Sequence, residues 1–286
     1  MKSVEPSRPK LILVEGVPGS GKTTIAQHIQ ETLEAQGVRH HLFLEGHPDH
    51  PADYEATAYF SAQEFAHLLQ QFPKQEELLK RLVEQRDGAC FVPFLRPYRA
   101  GEISEELLAV LGDHDVYELD SVVLHRQCIT KRWESFASQA AGGEATYIFE
   151  CCFLQNPLVV LWGKHNRLTQ ALDQVRTLSD LIRPLNPFLI YLATGDVRAT
   201  LEKAREERPQ AWVEHVSAYF SEQAWGIDEG VEGYEGIIRF HELRQPLDLE
   251  LLSSLELDTL ILNAPERNWQ EARIRVQEAV LVRFHC

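Results

Sequence analysis

Short apolar runs without strict alternation recur along the chain, separated by longer segments with an apolar residue at every third or fourth position. Runs of the first kind are typical of parallel strands buried on both faces, and segments of the second kind are typical of helices. The runs predict five strands, at residues 11–14, 40–45, 146–152, 188–193 and 259–263. The pattern therefore predicts an α/β fold, with a five-stranded parallel sheet and helices on both faces.

The connection between the second and third predicted strands, residues 52–145, is much longer than an ordinary loop. Its periodicity predicts a mostly helical insert that leans over the crevice at the carboxyl ends of the strands. Residues 1–9 are polar and contain two prolines, which predicts a flexible tail. We therefore expect one domain over residues 10–286, with residues 52–145 as a substrate-binding or lid insert.

Glycine and proline predict three further local features. Residues 90–97 are apolar but contain two prolines, which favours an edge strand or an extended arm over a central strand. Residues 226–236 are rich in glycine and acidic residues and predict a loop. Residues 247–255 predict a short helix.

The first predicted strand runs directly into the pattern Gly16-x-x-x-x-Gly21-Lys22-Thr23, a complete P-loop. The glycines let the backbone curl closely around an anion, and the amides and the following helix N-terminus point at phosphates. Lys22 supplies a charge to the outer phosphates, and Thr23 offers its hydroxyl to Mg²⁺. The predicted nucleotide-binding residues share this loop: Gly16, Val17, Pro18, Gly19, Ser20, Gly21, Lys22, Thr23 and Thr24.

The charge and cysteine content limit the partners. A formal net charge of −15 argues against a surface built to bind nucleic acid polymers or membranes, because both need a basic field. The five cysteines show no metal-binding spacing, and residues 1–10 lack the apolar core of a signal peptide. No apolar run reaches the 18 residues of a membrane helix, so we expect a cytoplasmic protein. The sequence does not determine the oligomeric state, and a homodimer is one possibility.

Two acids lie where strand ends should border a ligand. Glu45 ends the second predicted strand, next to the crevice at the carboxyl edge of the sheet. Glu150 lies inside the apolar third strand, where a carboxylate is costly unless it is paired or bound to a cation. We therefore expect Thr23 and Glu150 to hold Mg²⁺, while an ion pair with a neighbouring lysine or arginine is the alternative for Glu150.

The segment from Glu15 to Thr24 resembles the P-loop of the thymidylate kinase and deoxynucleoside kinase family, in which a Glu-Gly pair also opens the loop. The resemblance implies a general base at Glu45, in Phe43-Leu-Glu-Gly46, and an acid at the end of the third strand at Glu150. It also implies a lid helix whose Arg205 and Arg208 contact the transferring phosphoryl group, and an adenine site at Asn263 and Pro265. The sequence departs from the family where Cys151, in place of arginine, follows the acid.

Other residues are alternatives for these roles. Asp49 and Asp53 could replace Glu45 as the base, and Gln155 and Asn156 could bind an acceptor at the pocket mouth. Arg205 and Arg208 could instead pair with neighbouring glutamates. Further candidates lie in the insert and the adjoining strands. An anionic acceptor could be held by Arg96, Arg126 and Arg132, which are otherwise solvated surface residues. Zinc could be bound by His40, His41, His47 and His50, although their spacing fits no standard pattern, and a flat acceptor could stack on Tyr54, Tyr59, Phe60, Trp133 and Phe153, which are otherwise core residues.

The sequence as a whole predicts a phosphotransferase that uses ATP and Mg²⁺. Its acceptor would be a hydroxyl or phosphate of a small molecule, most simply a nucleoside or nucleotide. A nucleotide-dependent regulatory ATPase acting on a protein is the alternative from another class, and a degenerate kinase that only binds nucleotide is a third.

Overall fold

The computed structural model describes residues 8–263, 265 and 268–284. Most of the predicted tail, residues 1–9, lies outside the described residues. The strands within the described part of the chain are β1 Leu11–Gly16, β2 His40–Phe43, β3 Thr57–Ser61, β4 Glu84–Arg86, β5 Ala89–Pro93, β6 Thr146–Glu150, β7 Phe188–Ala193 and β8 Asp258–Asn263.

The helices of the described residues lie between and after these strands. They are α1 Lys22–Ala35, α2 Ala62–Gln71, α3 Glu76–Leu82, α4 Leu95–Arg99, α5 Glu105–Asp113, α6 Val122–Gly142, α7 Gln155–Pro157, α8 Leu168–Ile182, α9 Val197–Glu207, α10 Gln210–Glu222, α11 Ala224–Glu229, α12 Tyr234–Ser254 and α13 Trp269–Phe284. A π-helical segment, Leu158–Lys164, continues from α7.

The larger of two compact units comprises residues 1–45 and 133–286 and is built on a parallel sheet with the order β2-β6-β1-β7-β8. All four strand pairings are parallel, so the carboxyl ends of the five strands share one edge. The predicted α/β fold with a five-stranded parallel sheet is confirmed. The first strand, which leads into the P-loop, lies in the middle and is fully buried.

Both faces of this sheet are covered by helices. On one face, Ile12 and Val14 of β1 belong to a core with apolar residues of α1 and α13. On the other face, Phe149 of β6 contacts Trp133 and Phe136 of α6 edge-on and tilted, with ring centroids 6.1 and 4.7 Å apart. The side chains of β1 alternate between these two cores, which places Glu15 on the second face, with Leu13.

The second unit comprises residues 46–132 and contains an antiparallel sheet with the order β3-β5-β4, together with α2 to α5. The sequence predicts a mostly helical insert over residues 52–145, and the unit has this sheet in addition to its helices. The predicted edge strand at residues 90–97 is wrong, because β5 is the middle strand. Pro93 is accommodated there because it is the last residue of β5, where its missing N–H costs little of the ladder.

The region predicted as a loop and a short helix also differs. Residues 226–236 contain the end of α11 and the start of α12, and the helix predicted at 247–255 is the second half of α12. Pro246 lies inside α12, at a position where a proline removes a helical hydrogen bond. The helix continues because Arg244 and Asp248, on either side of the proline, are fully buried against the sheet; tertiary packing outweighs the local cost of the proline.

Four of the cysteines, Cys90, Cys128, Cys151 and Cys152, are buried. No helix among the described residues is both long enough and apolar enough to cross a membrane.

Candidate nucleotide site

The P-loop connects the buried strand β1 to the start of α1, as the motif requires. Gly16 and Gly21 have φ angles of 150° and 90°, the second of them in the left-handed region that side chains disfavour. A Cβ at Gly16 would lie 2.7 Å from the carbonyl oxygen of Leu192 and 2.8 Å from Ser20 Oγ. Both positions are thus restricted to glycine by conformation and by space.

The indole of Trp269 lies directly against Gly21. A Cβ on Gly21 would overlap the ring carbons of this side chain, which is half-buried at the first position of α13. Trp269 was not among the residues predicted from the sequence, because nothing in its local pattern relates it to a loop almost 250 residues earlier. Its ring covers the end of the P-loop beside the start of α1.

A Gly21→Ala substitution is therefore expected to destabilise the protein by about 1–3 kcal/mol, since it combines an unfavourable φ with a steric overlap. Thermal unfolding of the variant measures this loss. Gly37→Ala is the matched control, because Gly37 also has a positive φ, 65°, but nothing lies within 4 Å of its Cβ position. A Gly21→Ala melting temperature equal to that of Gly37→Ala would contradict the role of the Trp269 contact.

The start of α1 fits a polyphosphate. No side chain caps this helix, whose N-cap residue is Gly21 and whose first turn has no acidic residue, so its partial positive charge is available to an anion. Ser20 is buried, and its Oγ has no hydrogen-bond partner among the described residues. A triphosphate chain would supply the missing acceptor and occupy the space that the glycines leave.

Lys22 is nine-tenths or more buried, and its Nζ donates a hydrogen bond of 3.0 Å to the carbonyl of Val17. Burial acts to lower the pKa of this ammonium, but the nearby carboxylates of Glu45 and Glu150 act against it, and the pKa lies above its ordinary value. The side chain therefore stays charged, as a phosphate ligand must.

Thr23 and Glu150, the predicted ligands of Mg²⁺, lie next to each other at the end of the P-loop. Thr23 Oγ1 donates a 2.7 Å hydrogen bond to Glu150 Oε1, because β6 lies beside β1 and aligns Glu150 with Val14. Glu150 is buried, and the backbone N–H of Glu45 approaches its other oxygen at 3.4 Å. A hydroxyl and a carboxylate at the end of the P-loop are hard oxygen ligands of the kind Mg²⁺ prefers, so these residues fit the ion.

Glu45 lies two residues beyond β2, at the carboxyl edge of the sheet, and is exposed. Its Oε1 accepts a 2.7 Å hydrogen bond from Gln155 Nε2. Glu45, Glu150 and Cys151 place one candidate ligand atom each within 4.8 Å of one another, and the described residues contain no other such group of three. None of the four histidines weighed as zinc ligands belongs to it.

Cys151, the residue that replaces arginine in the resemblance, has a left-handed φ of 71°. It turns the chain sharply after β6. Burial raises the pKa of its thiol well above the ordinary value, so it is a neutral side chain beside Lys22 and supplies no positive charge for a phosphate.

A buried ionic network under the P-loop was missed by the sequence analysis. Arg244 of α12 is fully buried, with its Nε 3.2 Å from Asp248 Oδ2 and its Nη2 3.9 Å from Glu15 Oε2. Tyr191 Oη donates a 2.7 Å hydrogen bond to Asp248 Oδ2. Burial raises the pKa of Glu15 to about 7, although Arg244 and the amides of Leu154 and Phe153 act against it. The available signal was Glu15 itself, an acid in an apolar strand like Glu150.

Helix α9 packs on the P-loop, since a Cβ at Gly19 would lie 3.1 Å from Ala204 Cβ and 3.2 Å from Thr200 O. The predicted lid arginines follow Ala204 on the exposed side. The Nη1 atom of Arg205 lies 3.6 Å from Glu202 Oε2, and its Cζ lies 5.0 Å from the ring centre of Tyr234. The Cζ of Arg208 lies 5.6 Å from the ring centre of Trp212. Their roles at a phosphoryl group stay predictions.

The predicted adenine residues lie after the last strand of the sheet. Asn263 is the exposed end of β8, paired with Ala193 in β7, and the buried Pro265 accepts a hydrogen bond from the amide of Asn268. Trp269, on the P-loop, follows in the same segment. This places an aromatic ring near the residues predicted to hold the base.

The smaller unit contains the two alternative bases, Asp49 and Asp53, and the three arginines that could hold an anionic acceptor, Arg96, Arg126 and Arg132. Asp49 is paired with Arg96, and Asp53 accepts a hydrogen bond from Tyr117. Arg132, expected at the surface, is largely buried: its Nη2 donates to the carbonyl of His50 at 3.0 Å. Burial lowers the pKa of Arg132.

The aromatic residues weighed as stacking platforms behave mostly as core. Tyr54, Phe60, Trp133 and Phe153 are buried, and Tyr59 is half-buried. In the smaller unit, Tyr54 stacks on Phe91 with ring centroids 4.8 Å apart. The faces of these buried rings pack against other side chains of the protein, as in a hydrophobic core.

The family model of the AAA ATPase domain matches residues 1–125 of this chain, which is less than half of it. No curated protein matches the chain with significant similarity. The match and the geometry of residues 16–23 support a P-loop NTPase that binds ATP. The match does not bear on the resemblance to nucleoside and nucleotide kinases, which stays a hypothesis.

Proposed function

We propose that this protein transfers the γ-phosphoryl group of ATP to a hydroxyl or phosphate oxygen of a small molecule, in the manner of a nucleoside or nucleotide kinase. The observation that carries the proposal is the exposed Glu45, with a carboxylate oxygen within 4.8 Å of a ligand atom of Glu150. One acid is thus buried against the P-loop threonine, and a second remains open to an incoming molecule.

The two acids suit different tasks. Glu150, hydrogen-bonded to Thr23, would hold Mg²⁺ together with the hydroxyl; the ion neutralises charge on the phosphates when it is bound. Glu45 would accept the proton of the acceptor hydroxyl. The hydroxyl oxygen forms the new bond to the γ-phosphorus, and the bond from the γ-phosphorus to the ADP oxygen breaks. A base can act in this way only within hydrogen-bond reach of that proton, which the open position of Glu45 permits.

The remaining residues supply binding and charge. The P-loop amides and Lys22 hold the β- and γ-phosphates. Arg205, on the exposed side of α9, and Arg208, directly after that helix, would contact the transferring group after a change of side-chain conformation, because a guanidinium can bind phosphate through two hydrogen bonds. Asn263, Pro265 and Trp269 would border the base.

The test is an acceptor screen with the purified full-length protein, Mg²⁺ and ATP. Nucleosides, nucleotides, sugars and amino-alcohol antibiotics are offered in turn, and mass spectrometry detects the gain of one phosphoryl group. We expect one chemical class to be phosphorylated, and Lys22→Ala to abolish the product. ATP hydrolysis without any phosphorylated acceptor across the screen would contradict the proposal.

A nucleotide-dependent regulatory ATPase that acts on a protein partner is the second candidate, and the match of residues 1–125 to the AAA ATPase domain favours it. In that case water takes the place of the acceptor and Glu45 orients it. Hydrolysis that rises on addition of a protein partner, with no small-molecule product, distinguishes this function from the first.

A further inference from the structure

The turn that follows β6 is tied to the P-loop strand by the buried side chain of Glu15, the residue before Gly16. Glu15 Oε1 accepts hydrogen bonds from the backbone N–H groups of Phe153 and Leu154, at 2.8 and 2.9 Å. These residues come directly after the left-handed Cys151. The carboxylate of Glu15 thereby fixes the path of the chain at residues 151–154.

The next residue in this turn contacts the proposed base. Gln155 begins α7, and its Nε2 donates a 2.7 Å hydrogen bond to Glu45 Oε1. A carboxylate can only accept hydrogen bonds, so the donor must be the amide nitrogen. The exposed side chain of Glu45 is thus held by a residue whose own backbone position depends on Glu15.

Glu15 is itself held from the opposite side. The Nη2 atom of Arg244 lies 3.9 Å from Glu15 Oε2. Arg244 also forms an ion pair with Asp248, which accepts a hydrogen bond from Tyr191. All four side chains are nine-tenths or more buried. A carboxylate enclosed in this way has little freedom to move, which makes it a rigid anchor for the turn.

We propose that Glu15 and Gln155 are positioning residues for the carboxylate of Glu45: Gln155 bonds it directly, and Glu15 fixes the turn at residues 151–154 that leads to Gln155. The inference rests on the proposed function, because it concerns the residue assigned there as the base. Small displacements of a reacting group lower the rate of the chemical step far more than they lower substrate binding. The two residues should therefore affect kcat and leave KM for ATP nearly unchanged.

The experiment compares substitutions along this path in the full-length protein. Glu45→Gln removes the base, Gln155→Met removes the donor at similar size, and Glu15→Leu removes the acceptor. Glu15→Gln is the conservative variant, since its amide oxygen can still accept both N–H groups. Tyr191→Phe is the matched control, because it removes one hydrogen bond to Asp248 in the same buried network and leaves in place the acceptor of both bonds from the turn, Glu15 Oε1.

We expect Gln155→Met and Glu15→Leu each to lower kcat for Mg-ATP turnover by about tenfold with KM for ATP changed less than about twofold. Glu15→Gln should recover most of the loss, and Tyr191→Phe should keep the wild-type kcat. In a Glu45→Gln background, Gln155→Met should cause no further loss, because a residue that acts only through Glu45 has nothing left to position.

The failures of the two proposals are distinguishable. Wild-type turnover in Glu45→Gln would remove the proposed base. An inactive Glu45→Gln with wild-type kcat in both Gln155→Met and Glu15→Leu would overturn the positioning roles alone, as would losses that simply multiply in the double variant. Crystal structures give a readout independent of turnover: the Glu45 carboxylate should leave its position in Gln155→Met and Glu15→Leu, and an unmoved Glu45 in both would also overturn the inference.

Discussion

Replacing Lys22 with alanine is expected to lower Mg-ATP turnover by about 10²–10³-fold, the range observed when a single preorganised electrostatic partner of a transition state is removed. Lys22 is held inside the P-loop by its bond to Val17, and neighbouring groups keep it charged. Its ammonium faces the position at which the negative charge of the outer phosphates is expected to gather. The measurement is steady-state ATP turnover, with titration of a fluorescent ATP analogue to follow binding.

The control for this experiment is Lys80→Ala. Lys80 lies half-exposed on α3 in the smaller unit, paired with Glu76, and its removal should leave turnover unchanged. Circular dichroism of Lys22→Ala is needed as well, because the side chain is buried and its loss could disturb the loop. A folded Lys22→Ala protein that turns over ATP at the wild-type rate would contradict the assignment of residues 16–23 as the phosphate site.

Glu150→Gln is expected to produce the second large effect, a loss of about 10²-fold in turnover together with a higher Mg²⁺ concentration for half-maximal rate. The substitution keeps the shape of the side chain and an oxygen that can accept the bond from Thr23, but it removes the negative charge that would attract the ion. Binding of ATP without a metal should be unaffected. Turnover measured across a series of Mg²⁺ concentrations tests both statements.

Two substitutions of Thr23 serve as matched controls. Thr23→Ser keeps the hydroxyl that bonds Glu150, and Thr23→Val replaces it with a methyl group of similar size. We expect Thr23→Val to reproduce the altered Mg²⁺ dependence of Glu150→Gln and Thr23→Ser to retain most of the activity. A shared loss in both threonine variants, or a Glu150→Gln protein with normal Mg²⁺ dependence, would indicate that Glu150 only pairs with protein groups.

The contrast between Glu150 and Glu15 shows how one sequence signal can have two physical causes. Both are acids at the end of an apolar strand, and both are buried. Glu150 meets the threonine of the P-loop, whereas Glu15 meets two backbone amides and the guanidinium of Arg244. The strand pattern indicates that each acid needs a partner; it contains no information about which partner the fold supplies.

Helix α12 illustrates the same limit on a larger scale. Its first half follows a glycine-rich segment and its centre contains Pro246, so local propensity predicts a loop and a short helix. The observed helix places Arg244 and Asp248 under the P-loop, where their burial against β1 and β7 stabilises a conformation that the local sequence disfavours. Among the described residues, the only positively charged member of this buried network is Arg244. It comes from the segment whose secondary structure the sequence predicted least accurately.

The sequence by itself determined the parallel sheet and the P-loop, and it marked Glu150 as an acid that needs a partner. These features depend on apolar periodicity and on glycine, lysine and threonine at fixed spacing, which are local properties of the chain. Only the tertiary structure decided that Trp269 lies on Gly21, that Gln155 bonds Glu45 and that Arg244 lies beside Glu15. Each of those contacts joins residues about 110 to 250 positions apart in a geometry fixed by packing, and side-chain chemistry at one position does not specify which distant side chain packing will bring to it.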